Sequence, residues 1–514
     1  MTKRYIPGEI MDFPPWRALT GGFLLAAALV ACSSRGASLG PDPACQTLRM
    51  STPATSANLV LIVNDTMRRD RVGIYGGPAR TPTFDAFAKQ NFYFDRAFTN
   101  ATWTKPAVAT MLTSLYPSQH GLVTHPDVRD DGVYDGTEAL TQTDVLSDGY
   151  TTLAEALRAA GFRTAAFVSN PWMAKPFGFG QGFEIYDDSF AHWNAPGDLV
   201  SRKGLEWLQT LQPGERFFLY LHYIDSHRPY GALSDEDIAT NLNALANDTR
   251  PQVEESQMLF GWLLSQPQQR LSATIRERLA EVGPRIAFVE MAYDRGIEAF
   301  DRALDPLLSG LAKHPSFDHT AVVITADHGE ALFERGYGNH GTGLFDNEAA
   351  IPMAARLPGM AVPGQRIDCE VALIDLMPTL CTYLGVRCPS PIFGRRFISA
   401  GQSMTGSGYI VTEGVVAKPK HRSLRNETYK LFWEPDGSPA QGPGEFSLYD
   451  VTKDPGEKDD LLAANPVPTE IAHIAGALAI RLEESVPPFE RPKATFAPVE
   501  PELKERLRSL GYLK

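Results

Sequence analysis

The sequence predicts a mainly parallel α/β sheet covered by helices, with a smaller antiparallel unit after it. Four short apolar runs, at 58–63, 164–168, 217–221 and 321–325, lack the apolar/polar alternation of a half-exposed strand. Strands buried on both faces read this way. Helical patterns separate the runs, including 152–160 and 293–308, and strands alternating with helices imply a parallel sheet with helices on both faces. At 514 residues with 43% hydrophobic content, the chain exceeds the roughly 250–300 residues at which one core stops growing. One large unit and one smaller one are therefore expected.

Taken in order, residues 1–31 read as a signal peptide. Lys3, Arg4 and Arg17 precede a short apolar run at 22–30, which leads into Leu29, Val30, Ala31 and Cys32, a bacterial lipobox. Roughly ten apolar residues are too few to span a bilayer, which takes about 20. Cys32 is the expected lipidation site, with 32–57 a linker rich in Ser, Ala, Pro and Gly. Ser33 follows the cysteine, which points to a Gram-negative outer-membrane lipoprotein, periplasmic or surface-facing, held at the membrane by its lipid anchor.

The large unit is expected over 58–400. Within it, 232–286 is polar and reads as a helical insertion over the site. A subdomain and tail follow over 401–514, with antiparallel strands at 409–411, 429–433 and 446–449, a helix at 470–484 and helical charge patterning at 501–513. Of the five cysteines, Cys45, Cys369, Cys381 and Cys388 remain after lipidation. Three disulfide pairings are open, as are buried free thiols.

The formal charge of −13, from 61 acidic and 48 basic residues, argues against nucleic acid as a partner. An anionic substrate then needs a local positive site such as a metal.

Three clusters carry candidate chemistry. In NLVLIVNDTMR (58–68) an apolar strand ends at Asp65, placed for a metal or for capping a helix. In AVVITADHGE (321–330) another buried strand ends in Asp327 and His328. Carboxylate beside imidazole suits a divalent metal, and the two strand ends are expected to converge. In ATWTKPAVATMLTSLYPSQHG (101–121) Thr104 reads as the N-cap of a helix with Pro106 in its first turn. The free amides and positive end of that helix would face an oxyanion held at Thr104.

Together with LYLHYIDSHRPY (219–230), YDRGIEAFD (293–301), Asn339-His340-Gly341, LYDVTKDPGEKDDL (448–461) and ELKERLRSLGYL (502–513), these segments resemble the sulfatases of the alkaline phosphatase superfamily. The resemblance implies that Asp65, Asp327 and His328 hold a catalytic metal, with Thr104 as a further ligand and the nucleophile. It implies that His227 and His340 contact the transferred anion or protonate the leaving group. Lys105, beside the nucleophile, is expected at the anion or in solvent. Asn170 falls where sulfatases usually carry a lysine and a histidine and is a candidate substrate hydrogen-bond donor. His222 and Asp225 are expected to be structural. One divalent ion is expected (Ca, Mn or Zn), with a second left open but not expected.

The chain also departs from that family. The C/S-x-P-x-R segment whose first residue becomes formylglycine reads TKPAV here. Oxidising threonine gives a ketone rather than an aldehyde, and Val108 stands where the arginine would be. Thr66 replaces a second aspartate, which makes calcium less favoured. The leading expectation is a metal-dependent hydrolase of sulfate or phosphate mono- or diesters that uses Thr104. The alternatives are an envelope phosphotransferase and a binding lipoprotein that has lost catalysis. The sequence carries no signal for oligomeric state.

Overall fold

A computed structural model of the chain describes residues 49–50, 52–123, 142–191, 196–266, 269–360, 364–400, 408–416, 418–434, 446–492 and 495–509. The expected signal peptide, Cys32, Cys45 and most of the linker lie outside the described residues.

An eight-stranded sheet forms the centre. Its strands are β1 (Asn58–Asn64), β2 (Phe92–Phe98), β3 (Arg163–Val168), β4 (Ile185–Asp187), β5 (Phe217–Tyr223), β6 (Thr320–Ala326), β7 (Ala350–Arg356) and β8 (Gln365–Ala372). Their spatial order is β8-β2-β7-β6-β1-β5-β3-β4. β7 runs antiparallel to its neighbours β2 and β6, and the other pairings are parallel. The four apolar runs are the adjacent strands β6, β1, β5 and β3. Every residue of β1, β5 and β6 is buried, which is why those runs show no alternation.

Helices sandwich the sheet. The longer helices of the chain are α1 (Pro82–Gln90), α2 (Thr104–Thr113), α3 (Leu153–Ala159), α4 (Gly197–Leu208), α5 (Asp235–Ala246), α6 (Glu254–Ser265), α7 (Ala273–Val282), α8 (Ile286–Ala312), α9 (Leu376–Leu384) and, beyond the large sheet, α10 (Thr469–Ser485). α8 packs on α1 and α4, while α2 packs on α3 and α9. The segment 232–286 contains α5, α6 and α7, with α8 starting at its end.

A second, antiparallel sheet follows, made of β9 (Ile410–Val415), β10 (Lys418–Arg425), β11 (Tyr429–Trp433) and β12 (Phe446–Asp450), with α10 packed on it. β10 was not expected. Two of its charges are paired: Arg422 meets Glu413 at 2.7 Å, and Arg425 meets Asp346 at 2.5 Å. Lys430, 1% exposed, reaches Asp346 at 2.7 Å and Glu457 at 2.8 Å. Asp346 lies just before β7, so these buried ions join the small sheet to the large one.

Among the described cysteines, Cys369 is disulfide-bonded, while Cys381 and Cys388 are free thiols. Among the described residues no helix is long and apolar enough to cross a membrane.

Candidate active site

The parallel register of β1 and β6 sets Asn64 opposite Ala326. The residue after each, Asp65 and Asp327, therefore emerges at the same sheet edge, and both are fully buried. Thr66 turns the chain there with φ of 59°, a left-handed conformation that is costly for a β-branched residue. It is held by its N–H donating to Asp327 Oδ1 at 3.2 Å and its carbonyl accepting the Tyr293 hydroxyl at 2.5 Å.

His328 Nδ1 lies 2.9 Å from the Gly329 carbonyl. A carbonyl only accepts, so Nδ1 carries the proton and Nε2 presents its lone pair. That Nε2 stands 3.5 Å from Asp65 Oδ1 and 3.6 Å from Asp327 Oδ2. These two carboxylate oxygens are buried without a hydrogen-bond partner. Donor atoms at about 2.1 Å from one tetrahedral ion lie roughly 3.4 Å apart. The triad, whose ligand atoms fall within 4.8 Å of one another, fits a divalent cation. Burial, with Asp327 adding to it, pushes the Asp65 carboxyl up to about 7, the response of two carboxylates crowded in one dry pocket.

Thr104 enters this pocket from α2. Trp103, not Thr104, is the N-cap, and Thr104 is the first helical residue. The shift is one position, and the amides of the first turn still point out of the helix. Thr104 Oγ1 lies 3.5 Å from Asp65 Oδ2 and 3.4 Å from His328 Nε2. Asn170 reaches it from the end of β3. Asn170 Oδ1 accepts the Trp172 N–H at 2.8 Å, which fixes the amide so that Nδ2 faces the pocket. Nδ2 donates to Thr104 Oγ1 at 3.2 Å and also to Asp65 Oδ2.

Lys105 sits differently from either expectation. Fully buried, its ammonium donates to Thr143 Oγ1 at 2.6 Å and pairs with Asp144, beside the rings of Trp172 and Phe177. Its charge is spent on that pair rather than offered to an anion or to solvent. Val108 is buried in the core.

His227 and His340 border the triad. The His340 ring centroid is 4.6 Å from that of His328 and 5.0 Å from that of His227. His227 Nδ1 donates to the Arg228 carbonyl at 2.8 Å, and burial, followed by His340, pushes its imidazole down to about 3. His340 Nδ1 instead meets Glu330 Oε2 at 2.7 Å.

Glu330, the last residue of ADHGE, carries no functional signal of its own in the sequence. A small hairpin brings the pair together: Asn339 pairs with Ala331 and Gly338 with Leu332, so His340 and Glu330 come next across from one another. Asp225 Oδ1 accepts the Gly197 N–H at 3.2 Å. Fully buried His222 has no hydrogen-bond partner on either ring nitrogen, and its Nε2 lies 3.7 Å from Asp327 Oδ2.

The sequence profile of the family described as Sulfatase matches residues 57–386. An arylsulfatase of Clostridium perfringens is 20% identical over 493 residues, covering 83% of this chain and 94% of that protein. Among solved structures, BT4656 in complex with its substrate D-glucosamine-2-N,6-O-disulfate superposes with a TM-score of 0.62 at 17% identity, over 84% of this chain and 97% of that one. A phosphonate monoester hydrolase of Agrobacterium radiobacter gives 0.59 at 18% identity, over 84% and 95%. At those identities the structural likenesses show a shared fold. The profile match runs from the start of β1 to just beyond α9 and takes in Asp65, Thr104, His227, Asp327, His328 and His340. This chain belongs to the sulfatase family of the alkaline phosphatase superfamily, whose members hydrolyse ester bonds.

Proposed function

We propose that the protein is a metal-dependent hydrolase of singly charged phosphoryl esters, phosphate diesters or phosphonate monoesters, that uses Thr104 as nucleophile. The observation that carries this reading is the position of Thr104 Oγ1, within 3.5 Å of both Asp65 and His328 and hydrogen-bonded by Asn170. A threonine cannot become formylglycine, so the enzyme ester must be cleared by water attacking the transferred centre. Phosphoryl threonine allows that route. A phosphonate monoester hydrolase among the structural neighbours is consistent with it.

Charge supports the same class. The cations on the surrounding segments are paired: Lys105 with Asp144, Arg68 with Asp70 and Glu334, and Arg228 3.8 Å from Glu330. The positive charge facing the substrate would then come from an ion that Asp65, Asp327 and His328 would hold. That ion would neutralise the developing charge on the transferred group and favour the ionised hydroxyl of Thr104. One ion suffices, with His328 favouring zinc or manganese over calcium.

Within the site, Asn170 Nδ2 orients the attacking oxygen and can follow charge onto the phosphoryl oxygens. The first-turn amides of α2 face the same anion. His340 and His227, beside His328, are the histidines placed to meet the transferred group or its leaving oxygen.

Sulfate esters are the second reading, favoured by the match to the Sulfatase family. A panel of aryl sulfate, phosphate monoester, phosphate diester and phosphonate ester, each run against Thr104→Ala, separates them. Thr104-dependent cleavage of the diester or phosphonate supports the phosphoryl reading. Faster Thr104-dependent sulfate release overturns it.

We also propose that Cys32 carries a lipid and that residues 1–31 are removed, placing the enzyme in the cell envelope. The basic residues, the short apolar run and the lipobox support this. Globomycin-sensitive labelling with a palmitate analogue, lost in Cys32→Ser, tests it, and labelling that survives the substitution refutes it.

A further inference from the structure

We propose that the C-terminal segment 495–509 is a strap that positions the nucleophile by way of Lys105 and Asn170, which makes its buried Leu503 and Leu507 positioning residues for the reaction. The inference rests on the reading of Thr104 as nucleophile and extends it to what holds that residue in place.

The strap is a strand, Thr495–Pro498, followed by a helix, Pro501–Ser509. The strand pairs antiparallel with Gln142–Val145, setting Phe496 opposite Asp144 and Ala497 opposite Thr143. These two strands form a sheet of their own. A four-residue strand outside any larger sheet has only the ladder its single partner supplies, so the place of Gln142–Val145 depends on the strap. Thr143 and Asp144 are the residues that take the Lys105 ammonium, with Thr143 Oγ1 at 2.6 Å. Asp144 Oδ2 also accepts the Val123 N–H at 2.8 Å. Lys105 follows Thr104 in the first turn of α2, so this grip fixes the turn that presents Thr104 Oγ1.

The helix supplies a second grip. Leu507, fully buried, and Leu503, 9% exposed, seat it in the main core against the turn Pro171–Met173, and Arg506 Nη1 donates to the Asp188 carbonyl at 3.1 Å. That turn also packs on α2. It carries Trp172, whose N–H holds the Asn170 amide so that Nδ2 donates to Thr104 Oγ1. The Trp172 ring centroid lies 5.8 Å from the Lys105 ammonium and 6.4 Å from the ring of Trp103, edge to face. The two grips therefore meet at Trp172, beside residues 103–105 and Asn170.

Neither grip adds a group to the reaction. What they set is the place of the Thr104 oxygen relative to the phosphorus it attacks, and a misplacement of about 1 Å costs on the order of 10²-fold in rate. Attack depends on that distance, whereas ground-state binding of the ester does not. A loosened strap should therefore lower kcat and leave KM nearly unchanged.

The test uses the metal-loaded protein and whichever ester of the panel it cleaves fastest. Leu507→Ala should lower kcat by about 10–100-fold with KM within about 3-fold of wild type. Leu482→Ala, which opens a similar cavity between α10 and the small sheet, should lower the melting temperature and leave kcat unchanged. Leu503→Ala and the milder Leu507→Val cover the case in which Leu507→Ala fails to fold. Combined with Asn170→Ala, the strap variant should lose less than the product of the two single losses, because both act on the same oxygen. Wild-type kcat in the folded strap variants overturns the proposal alone, as do losses that multiply in full in the double variant. No Thr104-dependent turnover of any ester overturns both this proposal and the reading beneath it.

Discussion

Thr104 Oγ1 lies 3.4 Å from His328 Nε2, although the two residues are 224 positions apart in the chain. Two buried strands and one helix N-terminus produce that proximity. β6 delivers His328, the adjacent parallel strand β1 delivers Asp65, and α2 starts at the residue whose hydroxyl they share. The central prediction, that Thr104 is a nucleophile beside a metal triad, rests on this arrangement.

Asp327→Asn should release the metal. The substitution keeps shape but removes the charge of a ligand whose Oδ2 has no other partner. Loss of an outer-shell partner alone costs about 10–100-fold in affinity, so loss of a ligand should exceed that. Metal content after dialysis against a weak chelator measures it, and a variant that retains a full equivalent would show that Asp327 is not a ligand.

Asn170→Ala should lower kcat by about 10²–10³-fold, the cost of removing one donor aimed at developing charge, with little change in melting temperature. Asn170→Asp should do worse, because it sets a carboxylate against Asp65 Oδ2, where Nδ2 now donates. Steady-state kinetics on the best ester of the panel decides this. Wild-type turnover in Asn170→Ala would remove Asn170 from the mechanism.

The stability of the fold should fall as pH rises through neutrality, in part because of Asp225. Burial pushes its carboxyl from 3.8 up to about 7, and its Oδ2 has no partner. A raised folded-state value means that the protonated form is preferred. The contribution is fully present below 3.8 and is lost as pH rises through about 7. Between about pH 5 and pH 8.5, Asp225→Asn should therefore lose less stability than wild type, by on the order of 2 kcal/mol. Parallel melting curves for the two proteins would show the carboxyl to be ionised already if it is not.

Lys430→Met should destabilise the chain by about 3–5 kcal/mol, the cost of leaving buried carboxylates without their cation. Asp346 would keep Arg425, but Glu457 loses a partner 2.8 Å away. Urea denaturation monitored by circular dichroism reads the shift in midpoint. A change under about 1 kcal/mol would mean the seam between the two sheets is held by apolar packing instead.

How much of this was legible in the sequence follows from burial. β1, β3, β5 and β6 could be read because strands covered on both faces are uniformly apolar. β2 and β8 are illegible because Asp95 and Arg96, half-buried in ion pairs, and the exposed Arg366 and Asp368 break the apolar pattern, with β8 at the sheet edge. β7, AIPMAAR, hides behind alanines and a proline that argue against a strand.

The site divides in the same way. Asp65, Asp327 and His328 sit directly at the ends of legible strands, and Thr104 at a legible helix start, so topology alone brought them together. The Glu330–His340 pair depends on a hairpin of two-residue strands, too short to leave a periodic signal. The burial of Lys105 depends on Asp144, which reaches it from the short strand Gln142–Val145, and nothing in the local sequence announces that approach.

The measurement that tests the central claim most directly is to quench the metal-loaded protein during turnover of a phosphonate monoester and map the adduct by peptide mass spectrometry. The account predicts a phosphonyl group on Thr104, absent in Thr104→Ala, which should also lose at least about 10³-fold in kcat while melting within a few degrees of wild type. Rapid turnover in Thr104→Ala, or an adduct on any other residue, would contradict it.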